Sequence, residues 1–339
     1  MDILIKSFNR PYYLDRCLYS ISKHVKNWNG NIMILDDGTP ELFLNKISSK
    51  YPFVEIIKSD FYDKKQKFTS QGIKPNEYLI PINFWVEQAK KASDNFILLE
   101  DDIWFVDDID IKEVEIDILE NNLVFTKLFW LGNSKINKSK EEVIKNNIVI
   151  IKPKLMTIIP AFYYFIFYKF DRFKIRKTLR FLKINTEEKR LAYYSIYSVS
   201  GAIFNNKYFN KLWINHQNKI DEGLQTFNAV KFFYKQREKI NFGHYKKEIL
   251  KTGFISSATN QHKERYYGNV DMFIFNKIIN EAWYNNQFDS LLSLPKDINE
   301  KEIITILEND LEKRIKSKDW SDWVKSFKDE YIKIGCVLD

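Results

Sequence analysis

Apolar positions open the chain in short runs separated by helical spacing. Residues 2–7 are one such run, closed by Asn9-Arg10-Pro11, which is how a strand ending in a turn is written. Leu14, Cys17, Leu18 and Ile21 then recur at helical intervals and predict a helix over 12–26. After a loop at 27–31, residues 32–35 form a buried-type strand that runs into the turn Asp36-Asp37-Gly38-Thr39-Pro40. A helix follows over 41–50 and a strand over 54–58. Residues 59–76 read as polar, aromatic loop, 79–93 as a helix with an apolar face, and 96–99 as a strand ending in Glu100-Asp101-Asp102. Short apolar strands alternating with helices predict an α/β fold with a largely parallel sheet.

The second half is less regular. Residues 160–183 carry Phe162, Tyr163, Tyr164, Phe165, Phe167, Tyr168 and Phe170, then Arg172, Lys174, Arg176, Lys177, Arg180 and Lys183. Two readings stand for this segment: an interfacial amphipathic helix on an anionic membrane, or a buried aromatic helix followed by a solvated basic one. Residues 193–204 return to strand-like sequence around Gly201, 221–235 read as helix, and 296–335 as a Lys/Glu-rich helical tail. No internal repeat interrupts the chain. The organisation expected is a catalytic domain over 1–295 and a C-terminal helical extension over 296–339. Within the domain lie a ligand-binding half at 1–125, the aromatic and basic helical insertion at 155–185, and a second half at 190–290.

Composition narrows this picture. With 339 residues, 45% hydrophobic and 29% charged, the chain can bury a core, and disorder is excluded as its general state. The net charge of +8 favours anionic partners without choosing among them. Two cysteines, Cys17 and Cys336, make neither a disulfide framework nor a zinc cluster and suit a reducing compartment. Met1-Asp2 leads straight into Ile3-Leu4-Ile5, without the basic region of a signal peptide. The longest apolar stretch, 155–170, is broken by Pro160 and falls short of a span. A cytoplasmic protein, at most peripheral on the inner face of the plasma membrane, is expected.

Three adjacent carboxylates repel one another at a strand end. A divalent cation relieves that, since Mg²⁺ and Mn²⁺ take oxygen ligands from one or two carboxylates plus substrate phosphates. The alternative is a solvated acidic turn. Asp36-Asp37 is likewise either an Asp-Gly turn or an acceptor for base and ribose groups. In sheets of this kind ligands bind outside the carboxyl ends of the strands, where both acidic clusters fall.

Ile3-Leu4-Ile5-Lys6-Ser7-Phe8-Asn9-Arg10-Pro11 with Leu14, Leu18 and Ser20 resembles the opening strand and helix of GT-A glycosyltransferases of the family-two kind. Residues 32–39 look like their Asp-Asp-Gly-Ser-type turn, and 96–102 like the strand carrying their DXD-type motif. The form Glu-Asp-Asp is similar to the variant in the N-acetylglucosaminyltransferase I family. The resemblance covers about the first third of the chain and implies a GT-A, Rossmann-like mostly parallel sheet flanked by helices. It implies nucleotide-sugar contacts from Arg10, Asp36, Asp37, Glu100 and Asp101, and metal ligation by Asp102 with Mn²⁺ or Mg²⁺. More thinly, it implies Gly201 beside the donor sugar, Asp221 or Glu222 as catalytic base, and His262 as an extra metal ligand. The activity implied is sugar transfer from a nucleotide-diphosphate sugar to a hydroxyl of a bacterial cell-surface glycan or lipid-linked glycan, by inverting displacement.

Competing readings are a retaining transferase or nucleotidyltransferase on a similar sheet, and an inactive glycan-binding relative. Residues 1–30 hold only Gly30, against the Gly-rich loop of a nucleotidyltransferase. No nucleic-acid-binding motif accompanies the positive charge.

Overall fold

The computed structural model describes residues 1–75, 80–168, 186–216, 220–260 and 268–338. The fold is α/β. Its first strand, β1 (Asp2–Ser7), leads through Pro11 into α1 (Pro11–His24), where proline at the first helical position removes no needed donor. Two-residue β2 (Val25–Lys26), β3 (Ile32–Asp36), α2 (Glu41–Lys50), β4 (Val54–Lys58) and α3 (Tyr62–Thr69) follow. Next come α4 (Ile82–Lys91), β5 (Asn95–Glu100), β6 (Ile103–Phe105), β7 (Ile109–Asp110) and α5 (Ile111–Glu120). The remaining strands are β8 (Leu123–Lys127), β9 (Ser139–Ile144), β10 (Ile148–Pro153), β11 (Ala202–Asn205), β12 (Asn241–Tyr245) and β13 (Leu250–Thr252).

Among the described residues one nine-stranded sheet runs β4-β3-β1-β5-β11-β8-β12-β10-β9. The four strands that the sequence defines best, β4-β3-β1-β5, are wholly parallel, with Lys6 opposite both Leu35 and Glu100. Beyond β5 the pairing alternates: β11 is antiparallel to β5 and to β8, while β12 is parallel to β8. The chain leaves β1 for β3 on one side and reaches β5 on the other. The strand order therefore reverses between β1 and β5, the switch point at whose carboxyl ends such sheets bind ligands.

Strand alternation divides the core. Ile3, Ile5, Ile97 and Leu99 face one layer, Leu4, Phe96, Leu98 and Phe125 the other. The first layer also takes in the helices Met272–Tyr284, Glu300–Asn309 and Ser317–Ile334, through Trp283, Ile303, Leu307, Trp320 and Trp323. The tail at 296–335 is helical as expected, and its Trp320 Nε1–H donates to the Ile255 carbonyl at 2.9 Å. Burying an aromatic of this size contributes about 1.5–3 kcal/mol, so this helix is fixed on the domain.

Two expectations need correction. Residues 59–76 contain α3, because its inward face is polar: Tyr62, Lys65 and Thr69 are buried, and Thr69 donates to the Gly38 carbonyl at 2.6 Å. Hydrophobic periodicity cannot see such a face. Residues 193–204 are not one strand: Ala192–Ser195 is a tight 3₁₀ turn, and β11 starts only after Gly201. Of the aromatic and basic segment, the structure describes 160–168. Pro160–Tyr163 is helical and Tyr164–Tyr168 continues with wider turns. Tyr163 is buried, stacked 6.2 Å from Phe227, while Phe162 and Phe165 are exposed. The basic residues from 172 to 183 lie outside the described residues. No helix among the described residues is long and apolar enough to cross a membrane.

Candidate active site

The carboxyl ends of β1 and β5 bring five charged side chains together. Lys6 and Glu100 are register partners on the same face, and Lys6 Nζ donates to Glu100 Oε1 at 2.7 Å. Asp101 and Asp102 follow directly. Arg10, delivered by the turn after β1, spans both: one guanidinium nitrogen donates to Asp102 Oδ2 at 2.7 Å and the other to Asp101 Oδ1. The Phe8 N–H donates to Asp101 Oδ2 at 3.1 Å. The turn is shaped by Asn9, which takes φ +54°, a conformation that asparagine tolerates better than most residues. Asn280 secures it, donating to the Asn9 carbonyl at 3.2 Å.

Burial sets the protonation chemistry here. It pushes Asp101 up to about 7, against the pull of Arg10 and with the neighbouring Asp102 charge adding to the rise. Burial also raises Asp102, again against Arg10. For Glu100 burial acts in the same upward direction but loses to Lys6, Arg10 and Ser200, so its carboxyl lies below the usual range. Two cations thus face three acids that differ in their hold on a proton.

The fit to a divalent cation rests on one atom. Asp102 Oδ1 is buried and has no hydrogen-bond partner, whereas both Asp101 oxygens are engaged by Arg10 and Phe8. No cluster of three acidic, His or Cys ligands occurs among the described residues. Asp102 alone would hold Mg²⁺ or Mn²⁺, and one carboxylate suffices where ligand phosphates complete the shell. His262, Lys263 and Arg265 lie outside the described residues.

The other expected residues fall around this centre in different ways. Asp36 accepts from Ser7 Oγ at 2.9 Å, from the N–H groups of Gly38 and Thr39 at 2.9 and 2.8 Å, and from Thr39 Oγ1 at 2.6 Å. It builds the turn. Asp37 pairs with Lys65 and accepts from Ser59 Oγ at 2.5 Å. Gly201 takes φ +67°, and a Cβ there would stand 2.8 Å from Phe129 Cβ, so the neighbour its missing side chain accommodates is Phe129. Asp221 caps the helix Glu222–Gln236, accepting from the Leu224 N–H at 2.9 Å and from Tyr168 Oη at 3.1 Å. Glu222 is exposed and bonded by the Tyr194 hydroxyl. The cap and the free carboxylate are thus told apart: Asp221 has both oxygens engaged, and Glu222 keeps one side open.

Sequence reading missed Lys6, Tyr194 and Lys127. Lys6 and Lys127 each sit in an apolar strand and look like its polar end. Lys127 is 3% exposed, on the same sheet face as Phe125, and Nζ donates to the Tyr197 carbonyl at 3.4 Å and lies over the rings of Phe125 and Tyr194 at 5.6 and 6.0 Å. Burial pushes its ammonium down to about 7, against the attraction of Glu248. Because the folded chain holds this proton less tightly than the unfolded chain, the group's penalty is full below about pH 7. It fades as pH rises toward the ordinary lysine value. Lys127→Met is therefore expected to be more stable than the native protein near pH 6 by on the order of 1–4 kcal/mol. The gain should shrink near pH 10, read from urea unfolding at both pH values. A loss of stability at both would contradict this.

No family model matches the chain, and no curated protein does. Among solved structures the chain is similar to Staphylococcus aureus TarS 1–349, at 11% identity, 98% coverage of this chain, 91% of that chain and a TM-score of 0.41. The complex of the same fragment with UDP gives 12% identity, 98% and 91% coverage and a TM-score of 0.40. The bifunctional glycosyltransferase WbbM gives 13%, 86% and 52%, with a TM-score of 0.36. At TM-scores below 0.5 these likenesses carry no argument, and the chemistry rests on the residues above.

Proposed function

We propose that the protein is a glycosyltransferase of the GT-A type, using a nucleotide-diphosphate sugar. One observation carries the reading: Glu100, Asp101 and Asp102 stand at the carboxyl end of β5, at the switch point of a parallel sheet, clamped by Arg10 from β1. Three acids against Lys6 and Arg10 leave a net negative centre, which suits a diphosphate only together with a divalent cation. Asp102 Oδ1 would hold Mg²⁺ or Mn²⁺, which when bound supplies Lewis-acid charge to the leaving diphosphate. Arg10 and Lys6 hold the acids in place. The Asp36–Thr39 turn and Asp37 wall the nucleoside side.

Glu222 serves as the base in an inverting transfer. Its carboxylate takes the proton of the acceptor hydroxyl as that oxygen attacks the anomeric carbon and the diphosphate leaves. Tyr194 orients it. Asp221 only caps the helix. The acceptor is a hydroxyl of a glycan or lipid-linked glycan. The exposed Phe162 and Phe165, together with the basic sequence that follows, support peripheral contact with an anionic membrane.

The test is a thermal-shift screen of UDP-, GDP-, CMP- and dTDP-sugars with and without Mn²⁺. A ligand of the folded state raises the melting temperature by mass action. A rise with UDP-, GDP- or dTDP-sugars supports the reading, and a rise with none of these, or only with a CMP-sugar, which has no diphosphate, sinks it. For the base, Glu222→Gln is expected to lower kcat by about 10²–10⁴-fold with donor affinity unchanged within about twofold. An Asp221→Asn variant that loses more kcat than Glu222→Gln would reverse the assignment.

A further inference from the structure

The helix Ser317–Ile334 ends over the site. Tyr331, in its last turn, packs edge-on against Phe254, ring centroids 5.2 Å apart at 78°, and against Phe327 at 5.5 Å and 81°. Phe254 follows Gly253, whose N–H donates to the Asp102 carbonyl at 3.0 Å. The ring is thereby linked to the acidic triplet through one ring contact and one backbone hydrogen bond.

The helix end is strapped down on its other side. Gly335 takes φ +101°, the left-handed cap, and the Cys336 N–H returns to the Tyr331 carbonyl at 3.0 Å. The Val337 N–H donates to the Leu131 carbonyl at 2.8 Å, and Asn133 Nδ2 to the Ile334 carbonyl at 3.1 Å. Leu131 and Asn133 belong to the loop after β8, which opens with the Leu128 N–H donating to the Gly201 carbonyl at 3.0 Å. Phe129 of the same loop fills the space beside Gly201. The strap thus joins the end of the helix to the loop that packs on Gly201.

Tyr331 is the residue of this helix end that meets Phe254, next in sequence to the Gly253 bonded to Asp102. Burial raises its hydroxyl well above the ordinary tyrosine value, and the charges of Asp102, Glu100 and Glu222 raise it further. The group therefore stays protonated. Those three carboxylates can only accept hydrogen bonds, and the terminal nitrogens of Lys6 and Arg10 already donate to Glu100, Asp101 and Asp102, leaving Arg10 Nε as the unpartnered cationic donor. A sugar ring offers oxygens that need donors as well as hydroxyls that need acceptors. The phenol O–H supplies the donor, and the ring of Tyr331, backed by buried Phe254, supplies apolar surface for a sugar's C–H face.

We propose that Tyr331 is a specificity-determining residue that donates a hydrogen bond to an oxygen of the transferred sugar, so that the C-terminal helix is a wall of the active site. This rests on the nucleotide-sugar reading above. It places the sugar between Asp102 and Glu222, where the anomeric carbon must lie for both to act.

Tyr331→Phe tests it, because the ring and its packing remain and only the hydroxyl goes. Binding is measured by calorimetry with Mn²⁺ for UDP against UDP-glucose and UDP-N-acetylglucosamine, and for GDP against GDP-mannose. In the variant, affinity for the free diphosphate should stay within twofold of the native protein. Affinity for its sugar form should fall about tenfold, the scale of one hydrogen bond to an unpaired partner. Equal changes for the diphosphate and its sugar form, or no change in either, would overturn the inference while leaving the nucleotide-sugar reading intact. A native protein that binds no UDP-, GDP- or dTDP-sugar would overturn that reading and the inference with it.

Discussion

Asp102→Asn is expected to lower transfer and donor hydrolysis by at least about 10²–10³-fold, the effect of removing one preorganised electrostatic group from a site of this kind. The substitution keeps the shape of the side chain. It removes the charge that Arg10 Nη1 meets at 2.7 Å and the anionic character of the buried, unpartnered Oδ1. Two consequences should appear together. Rate should fall, and the Mn²⁺ dependence of nucleotide binding should weaken, because the carboxylate best placed to ligate the ion is gone. The fold should survive, since Arg10 keeps its second bond to Asp101. The measurement is steady-state hydrolysis of the donor found by the thermal-shift screen, with nucleotide titrations at several Mn²⁺ concentrations. Undiminished hydrolysis would remove Asp102 from the centre of the mechanism.

The largest stability effect is expected at Lys65. This residue is 1% exposed on α3 and pairs with Asp37, itself 3% exposed. Lys65→Met leaves the carboxylate buried without its cation, which costs about 3–5 kcal/mol near neutral pH. The pH dependence gives the signature. Burial already raises Asp37 from 3.8 to about 6, in spite of Lys65 and Ser59. A raised carboxylate binds its proton more tightly in the folded chain than in the unfolded one. Its penalty is absent at acid pH, grows as pH climbs through the window between the two values, and is full above it. Without Lys65 that window extends upward. The variant should therefore lag the native protein most near pH 7.5 and approach it near pH 4.5, as urea unfolding would show. A deficit equal at both pH values would mean lost packing rather than an unpaired charge.

The parts of the molecule legible in the sequence are those written in apolar side chains. β1, β3 and β5 announce themselves because a strand buried on both faces is a continuous apolar run, and the acids that end β5 stand out against it. The helix α3 was hidden for the converse reason. Its inward face is built from Lys65 and Thr69, which are buried by an ion pair and a hydrogen bond to the chain, and no local pattern reveals a partner twenty-eight residues away. The pair Asp221-Glu222 could not be divided on sequence alone. Division required seeing which of them capped the helix. Tyr331 carries no local signal at all, for its position depends on where a helix lands after more than two hundred residues of intervening fold.

One strand has a consequence for how this chain must be made. β11 lies between β5 and β8, yet it is synthesised some seventy-five residues after β8. Until it arrives, the facing edges of β5 and β8 have no native partner. Both are rich in β-forming residues, and open edges of that kind invite pairing with each other or with a neighbouring chain. The nascent protein therefore passes through an interval in which its future centre is its most adhesive surface. Insertion of four residues, Ala202–Asn205, ends that interval and converts two exposed margins into the middle of the molecule.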